Sequence, residues 1–178
     1  MSKKPAAGEI APDFSFNTPW LNTLNFFDHT NGSAVILIFL RYIGCPVCRM
    51  EMANIRRTIS LAKKKQAQVF VILQSTPEII ASLCSADDWP FTIVCDNSAK
   101  IFDLYKVSEG SIFSYLHPAG IISAAKSMLN GNMHGKFEGR ETQLPAAFVI
   151  SSDRRIKFAY YGKRIDDVPS LETLAAYL

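Results

Sequence analysis

Cys45 and Cys48 lie in the run Gly44-Cys45-Pro46-Val47-Cys48, a Cys-x-x-Cys pair suited to reversible disulfide chemistry. The thiolate is the reactive form of cysteine, and an ordinary thiol with a pKa of about 8.5 is only about 3% ionised at pH 7. The pair stands where a β-like run gives way to a helical pattern, so unpaired N–H groups and the helix dipole favour negative charge on Cys45. A pKa lowered to about 6 would make Cys45 roughly 90% thiolate. Cys48 is one turn further on, within reach of a mixed disulfide formed at Cys45. It also heads an apolar stripe, Cys48, Met52, Ile55, Ile59 and Ala62, with helical spacing. Cys48 is therefore expected to be enclosed and to resolve the mixed disulfide, and Cys45 to be more exposed and to attack. Sulfur carries both electrons in such chemistry, so no bound cofactor is expected.

Other chemistry-bearing residues are less organised. Cys84 and Cys95 could complete a four-cysteine zinc set, but they lack close ligand spacing and no histidine follows in a metal pattern. Core packing is the expected role for both, and no metal is expected. His29, His117 and His134 are isolated in loop-like surroundings. Gly131, Gly135 and Gly139 neither follow a strand nor open a helix, which argues against a phosphate loop. Lys63-Lys64-Lys65 with Arg56 and Arg57 reads as a solvated helix face. Pro145 directly precedes an apolar run, where a proline can hold a cis bond and present backbone to a substrate.

The elements that must position the cysteines follow from periodicity. Ala34–Leu40 is an unbroken apolar run of seven residues and predicts a strand buried on both faces. A helix is expected from Pro46, well placed at the first helical position, to about Lys65. Val69–Leu73 predicts a second buried strand, parallel to the first through a right-handed crossover. Thr76 and Pro77 open a short helix to about Cys84, Phe91–Cys95 is a third strand, and Ser98–Tyr105 a short helix. Ile121, Ile122, Ala125, Met128 and Leu129 have helical spacing within the irregular stretch 107–143. Ala146–Ile150 and Ile156–Tyr161 form a hairpin, and Pro169-Ser-Leu-Glu begins a last helix. This order predicts one α/β domain over residues 1–178, its sheet parallel in the first half and antiparallel in the second.

Composition agrees with a globular chain: 178 residues, 48% hydrophobic and 20% charged, is enough for one core without staples. A net charge of +3 is too small to point to nucleic acid. The seven-residue apolar run falls far short of the roughly 20 residues that span a bilayer, so no membrane association is expected. Residues 1–10 hold two lysines without a following apolar stretch, which is unlike a signal peptide and leads to an expectation of a cytoplasmic chain.

On these residues the chain resembles the thioredoxin superfamily and, within it, the peroxiredoxins. Gly8-Glu-Ile-Ala-Pro-Asp-Phe14 is similar to the peroxiredoxin opening segment. Trp89-Pro-Phe-Thr-Ile-Val-Cys-Asp96 with Lys100-Ile-Phe-Asp-Leu-Tyr105 resembles the middle segment, and Leu144-Pro-Ala-Ala-Phe-Val-Ile150 with Gly162, Asp166 and Pro169 the closing one. The resemblance implies a thioredoxin fold with a peroxiredoxin-like N-terminal extension and an insertion before the C-terminal hairpin. It also places Pro145 at the superfamily's cis-proline position. The family motif P-x-x-x-T-x-x-C is altered here to Arg41-Tyr-Ile-Gly-Cys45-Pro-Val-Cys48. Cys48 matches the peroxide-attacking cysteine, Cys45 replaces the threonine and Arg41 the proline. The arginine usual before the closing strand is Gln143 or Leu144, leaving Arg41, Arg49 or Arg140 to supply a cation. The pattern Arg-x-x-Gly-Cys-x-x-Cys-Arg is closer to the peroxiredoxin-like 2 group.

The resemblance implies a thiol-dependent oxidoreductase acting on a peroxide or disulfide substrate, recycled by a thioredoxin-like electron donor, and in some members a homodimer. The expected site is Cys45 and Cys48 with Gly44, Pro46, Pro145 and Arg41 in support. The helix-end argument chooses Cys45 as nucleophile; the family alignment chooses Cys48. Two other readings stand beside this one. The lost threonine fits a disulfide reductase without significant peroxidase activity. The stretch 107–143, which could cover the dithiol, form a subunit contact or merely connect, fits a non-catalytic redox-sensing module.

Overall fold

The computed structural model describes residues 3–111, 129 and 135–178. The helix expected around Ile121–Leu129, together with His117 and His134, falls outside that description apart from Leu129.

Five strands form the central sheet: β3 (Val35–Phe39), β4 (Gln68–Leu73), β5 (Thr92–Cys95), β6 (Ala146–Ile150) and β7 (Ile156–Tyr161). Their order is β5-β4-β3-β6-β7. β3 pairs in parallel with β4, and β4 with β5, while β6 runs antiparallel to β3 and β7 antiparallel to β6. This is the mixed sheet that the element order predicts. A small hairpin of β1 (Ser15–Phe16) and β2 (Leu24–Asn25) precedes it, followed by α1 (Phe26–Thr30).

β3 is buried at all five positions because both of its faces are covered. Ile36 and Ile38 point to the layer holding Met52 and Ile55 of α2 (Pro46–Thr58), Ala62 of α3 (Ser60–Lys64), Ile80 of α4 (Pro77–Leu83) and Leu171 and Leu174 of α6 (Leu171–Ala175). Val35, Leu37 and Phe39 point to the opposite layer, with Phe14, Phe26 and, from α5 (Lys100–Leu104), Ile101 and Phe102. Fully burying each such side chain contributes about 1.5–3 kcal/mol, so the strand leading to the dithiol is among the best anchored in the molecule.

The single helix expected from Pro46 to Lys65 is instead two. α2 ends at Thr58, Ile59 stands between, and α3 begins at Ser60. The Thr58 hydroxyl donates to the Asn54 carbonyl at 3.0 Å, a back-bond that competes with the helix ladder and favours a bend. The stripe read from sequence survives this break: Cys48, Met52, Ile55 and Ala62 are all buried, and Ile59 packs against them.

Candidate active site

The C-terminal end of β3 delivers the chain into a short turn and then into α2. The Leu40 N–H is held by the Ile72 carbonyl at 3.0 Å, and the Arg41 carbonyl accepts from the Gln74 N–H at 2.7 Å. The Ile43 N–H donates to Ser75 Oγ at 2.9 Å, and the Cys45 N–H to the Tyr42 carbonyl at 3.2 Å. Cys45 is then the N-cap of α2 in extended backbone, and Pro46 opens the helix where its missing N–H leaves nothing unpaired. Gly44, Cys45 and Pro46 therefore meet at the strand–helix junction, as their order predicts.

Cys45 and Cys48 approach to 3.2 Å and are both free thiols. Arg41 Nη2 donates to Cys45 Sγ at 2.9 Å. Of the three arginines open to this role, Arg41 makes the contact. Arg49 Nε instead donates to the Ile43 carbonyl, and Arg140 is paired with Asp103 through bonds of 2.7 and 2.9 Å.

The electrostatics separate the two thiols. The Cys48 thiol hydrogen-bonds to Cys45 and, although burial opposes it, this bond together with the Arg41 charge holds Cys45 at a pKa of about 6. The Cys48 backbone N–H contributes less and closes no capping bond. The helix start, on which the sequence argument leaned, is thus a secondary cause. Burial, and then the bond it gives to Cys45, push Cys48 well above the ordinary thiol range. Burial disfavours charge on Arg41, but the facing Cys45, Cys48 and Tyr42 outweigh it and raise its pKa further.

Cys45 does not have the exposure expected of it. It is 0% exposed and Cys48 2%, so burial does not distinguish them. A distant segment lies against the same turn: the Gly135 N–H donates to the Gly44 carbonyl at 2.8 Å. A Cβ on Gly44 would stand 2.6 Å from the Lys136 carbonyl oxygen, so only glycine permits this approach. The described end of the insertion thus lies over the dithiol turn, one of the three roles the sequence left open. Tyr42 and Glu141 complete the surroundings. Arg41 Nη1 donates to the Glu141 carbonyl at 2.8 Å, and the buried Tyr42 hydroxyl to Glu141 Oε2 at 3.2 Å. Neither residue was found from sequence. Tyr42 lies inside the motif but nothing there marks its partner, and Glu141 is 100 residues from Arg41 with no local signal.

Pro145 is buried beside the first residue of β6, and the register Phe39↔Ala146 puts it at the dithiol end of the sheet. The expected cis bond is not found; the Leu144–Pro145 bond is trans, the form X–Pro bonds prefer by about 0.5–1 kcal/mol. The Pro145 carbonyl is taken up by the Gly162 N–H at 2.9 Å, and the Leu144 N–H by the Ser108 carbonyl. Gln143, one of the two residues read at the family's arginine position, is fully buried and donates to the Val107 and Ser108 carbonyls. Cys84 and Cys95 are both held protonated by burial, Cys95 at about 12. Among the described residues no three His, Cys, Asp or Glu side chains are grouped to hold a metal ion. None of the described helices is long and apolar enough to cross a membrane.

The AhpC/TSA family matches residues 7–159 of the chain. No curated protein matches it. Among solved structures it is similar to the peroxidoxin BcpB of Mycobacterium tuberculosis, with 13% identity over 97% of this chain and 96% of that one and a TM-score of 0.67. A peroxiredoxin-like protein of Aquifex aeolicus shares 15% identity over 98% and 86% of the two chains, with a TM-score of 0.69. A Chlorobium tepidum protein named for thiol:disulfide interchange, DsbE, shares 21% identity over 98% and 100%, with a TM-score of 0.60. These likenesses show the thioredoxin fold with its peroxiredoxin-like additions.

Proposed function

The chain belongs to the AhpC/TSA family, and from that premise we propose that it is a thiol-dependent oxidoreductase reducing peroxides or related O–O and S–S substrates through Cys45 and Cys48. The observation that carries this reading is the Arg41 guanidinium 2.9 Å from Cys45 Sγ, with Cys48 adjacent. A buried cation on one thiol of a close pair stabilises a thiolate, and the second thiol is placed to trap what it forms.

The Cys45 thiolate attacks the outer oxygen of a hydroperoxide. The O–O bond breaks, the alkoxide takes up a proton and leaves as an alcohol, and Cys45 becomes a sulfenic acid. Arg41 offsets the negative charge on the reacting atoms. Cys48 then attacks Cys45 sulfur, its proton leaves with the hydroxyl as water, and a Cys45–Cys48 disulfide forms. The two electrons given to the peroxide come from the two sulfurs. An external dithiol, a thioredoxin-like donor, restores them by exchange. Gly44 and Pro46 hold the turn in which Cys45 sits, and Pro145 supports the same end of the sheet.

Assigning the attack to Cys45 departs from the family alignment, which chooses Cys48. The acidity of the two thiols supports the assignment, since Cys48 is held protonated while Cys45 is not. Stopped-flow oxidation of the reduced chain by hydrogen peroxide tests it, with Cys45→Ser and Cys48→Ser in parallel and mass spectrometry to locate the oxidised sulfur. Fast oxidation that survives Cys48→Ser and is lost in Cys45→Ser is the expected result. The reverse pattern overturns the choice of nucleophile. A rate no better than that of a free thiol removes peroxide as substrate. The second reading, disulfide reduction through Cys45, then stands; it is favoured by the cysteine at the position of the family's threonine.

A further inference from the structure

We propose that Tyr42 is a positioning residue for the dithiol: its hydroxyl holds the Glu141 carboxylate away from Arg41, so that the guanidinium charge is kept for Cys45. The inference rests on the reading of Cys45 as the reactive thiolate. One buried guanidinium faces two anions. Arg41 Nη2 donates to Cys45 Sγ at 2.9 Å, a charge-assisted hydrogen bond when Cys45 is ionised. Its Nη1 stands 3.9 Å from Glu141 Oε2, an ion pair too long for a hydrogen bond. An arginine and a carboxylate in contact ordinarily meet at about 2.7–2.9 Å, often through two parallel bonds.

Tyr42 accounts for the gap. Its hydroxyl donates to the same oxygen, Oε2, at 3.2 Å. The other oxygen, Oε1, is buried without a hydrogen-bond partner among the described residues. Among those residues the Tyr42 hydroxyl is therefore the hydrogen bond that holds this carboxylate. The backbone does not keep it away. The Glu141 carbonyl already accepts from Arg41 Nη1 at 2.8 Å, so Glu141 is pinned against the guanidinium and a side-chain rotation is enough to close the pair. Tyr42 is fully buried and follows Arg41 directly, with its ring centroid 5.4 Å from the guanidinium carbon. Burial, which Arg41 opposes and the facing Glu141 and Cys45 reinforce, pushes Tyr42 well above the ordinary phenol range, so its hydroxyl stays protonated and able to donate.

The competition has a definite sign. A cation shared between two anions stabilises each less than it would stabilise one alone, and the effect is stronger where water is excluded. Without the Tyr42 hydroxyl the carboxylate closes on Arg41, part of the positive charge is turned from the sulfur, and the Cys45 thiolate loses stability. With the hydroxyl in place, Arg41 keeps Glu141 as a backbone anchor while its charge serves Cys45.

Titration of Cys45 in the reduced full chain tests this, read by iodoacetamide alkylation and mass spectrometry in the wild type, Tyr42→Phe, Glu141→Gln and the double variant. Phenylalanine keeps the ring beside Arg41 and removes only the hydroxyl. Tyr42→Phe is expected to raise the midpoint by about one pH unit, which takes the thiolate fraction at pH 7 from about 90% to about 50%. Glu141→Gln alone is expected to stay within about half a pH unit of the wild type, because the carboxylate is already held off. The double variant is expected to match Glu141→Gln, because the competitor is gone. A merely structural tie would weaken Tyr42→Phe in urea and leave its midpoint in place, and that result overturns the proposal. So does a raised midpoint that persists in the double variant. Glu141→Gln leaves Tyr42 untouched, and a larger shift there in either direction overturns the proposal even if Tyr42→Phe does not fold. A wild-type midpoint in the ordinary thiol range overturns the reading of Cys45 as the thiolate and this proposal with it; a low wild-type midpoint combined with any of the other failures overturns this proposal alone.

Discussion

Arg41→Gln keeps a polar side chain next to Cys45 but removes the positive charge 2.9 Å from its sulfur. An opposite charge at that distance lowers a pKa by 1–3 units. The Cys48 hydrogen bond, the largest cause of the low Cys45 pKa, remains in the variant, so a change of about 2 units is taken. Cys45 then moves from about 6 to about 8, which corresponds to about 3 kcal/mol of lost thiolate stabilisation. At pH 7 the thiolate fraction falls from about 90% to about 10%. A single rate at pH 7 would hide this, because a thiolate of higher pKa is also a better nucleophile. With a Brønsted slope of 0.4–0.5, two units raise its intrinsic reactivity roughly sixfold to tenfold. The useful observable is the midpoint of the pH profile, from ultraviolet thiolate absorbance and from iodoacetamide alkylation followed by mass spectrometry. The midpoint is expected to move up by about 2 units and the high-pH plateau to rise. A midpoint within half a unit of the wild type, in a variant that unfolds cooperatively, would refute the idea that Arg41 holds the thiolate.

The remaining predictions concern stability, access and the other thiols. The folded pKa of Cys45 lies below that of an unfolded thiol, so its contribution is present above about pH 8.5 and is lost as pH falls through about 6, a change on the order of 3 kcal/mol. Urea unfolding of the reduced chain should therefore weaken over that range more than unfolding of the disulfide form; parallel pH dependences would contradict it. Gly44→Ala places a methyl 2.6 Å from the Lys136 carbonyl oxygen and should cost about 1–3 kcal/mol by overpacking. It should also speed modification of Cys45 by a bulky aromatic disulfide, and an unchanged rate would mean that the Gly135–Lys136 contact does not shield the sulfur. Burial pushes Cys95 up to about 12, so alkylation of the native chain at pH 8 should label Cys45 and leave Cys95 unmodified on mass mapping. The Asp96 carboxylate accepts the backbone N–H groups of Lys100, Ile101 and Phe102 at the start of α5. Asp96→Ala should cost about 1–2 kcal/mol in urea unfolding without moving the Cys45 titration.

Much of the frame was legible because its signals are local. The unbroken apolar run at 34–40 announced a strand covered on both sides, and β3 has a hydrophobic layer on each face. Pro46 and Pro77 marked helix starts, and the spacing of Cys48, Met52 and Ile55 marked the buried side of α2. The break at Ile59 was not legible, since the apolar stripe continues across it and the Thr58–Asn54 back-bond leaves no periodic trace.

The dithiol itself, its position at a strand–helix junction and its order Cys45 before Cys48 were determined by the sequence alone, because spacing along a helix fixes which residues come one turn apart. Its environment was decided by tertiary structure. Helical position placed Cys45 beyond the buried stripe and so predicted exposure, but the fold buries it fully, with Gly135 and Lys136, about ninety residues away, lying against the neighbouring Gly44. Sequence put Arg41 in the expected site but left Arg49 and Arg140 open as other sources of the cation. The fold brought Arg41 to Cys45, spent Arg49 on the Ile43 carbonyl and turned Arg140 outward to Asp103. The low pKa of Cys45 was argued from the end of a helix, yet it comes first from the Cys48 thiol and Arg41 in a site closed to water. A charge interaction depends on distance and burial in three dimensions, and neither is encoded in the separation of residues along the chain.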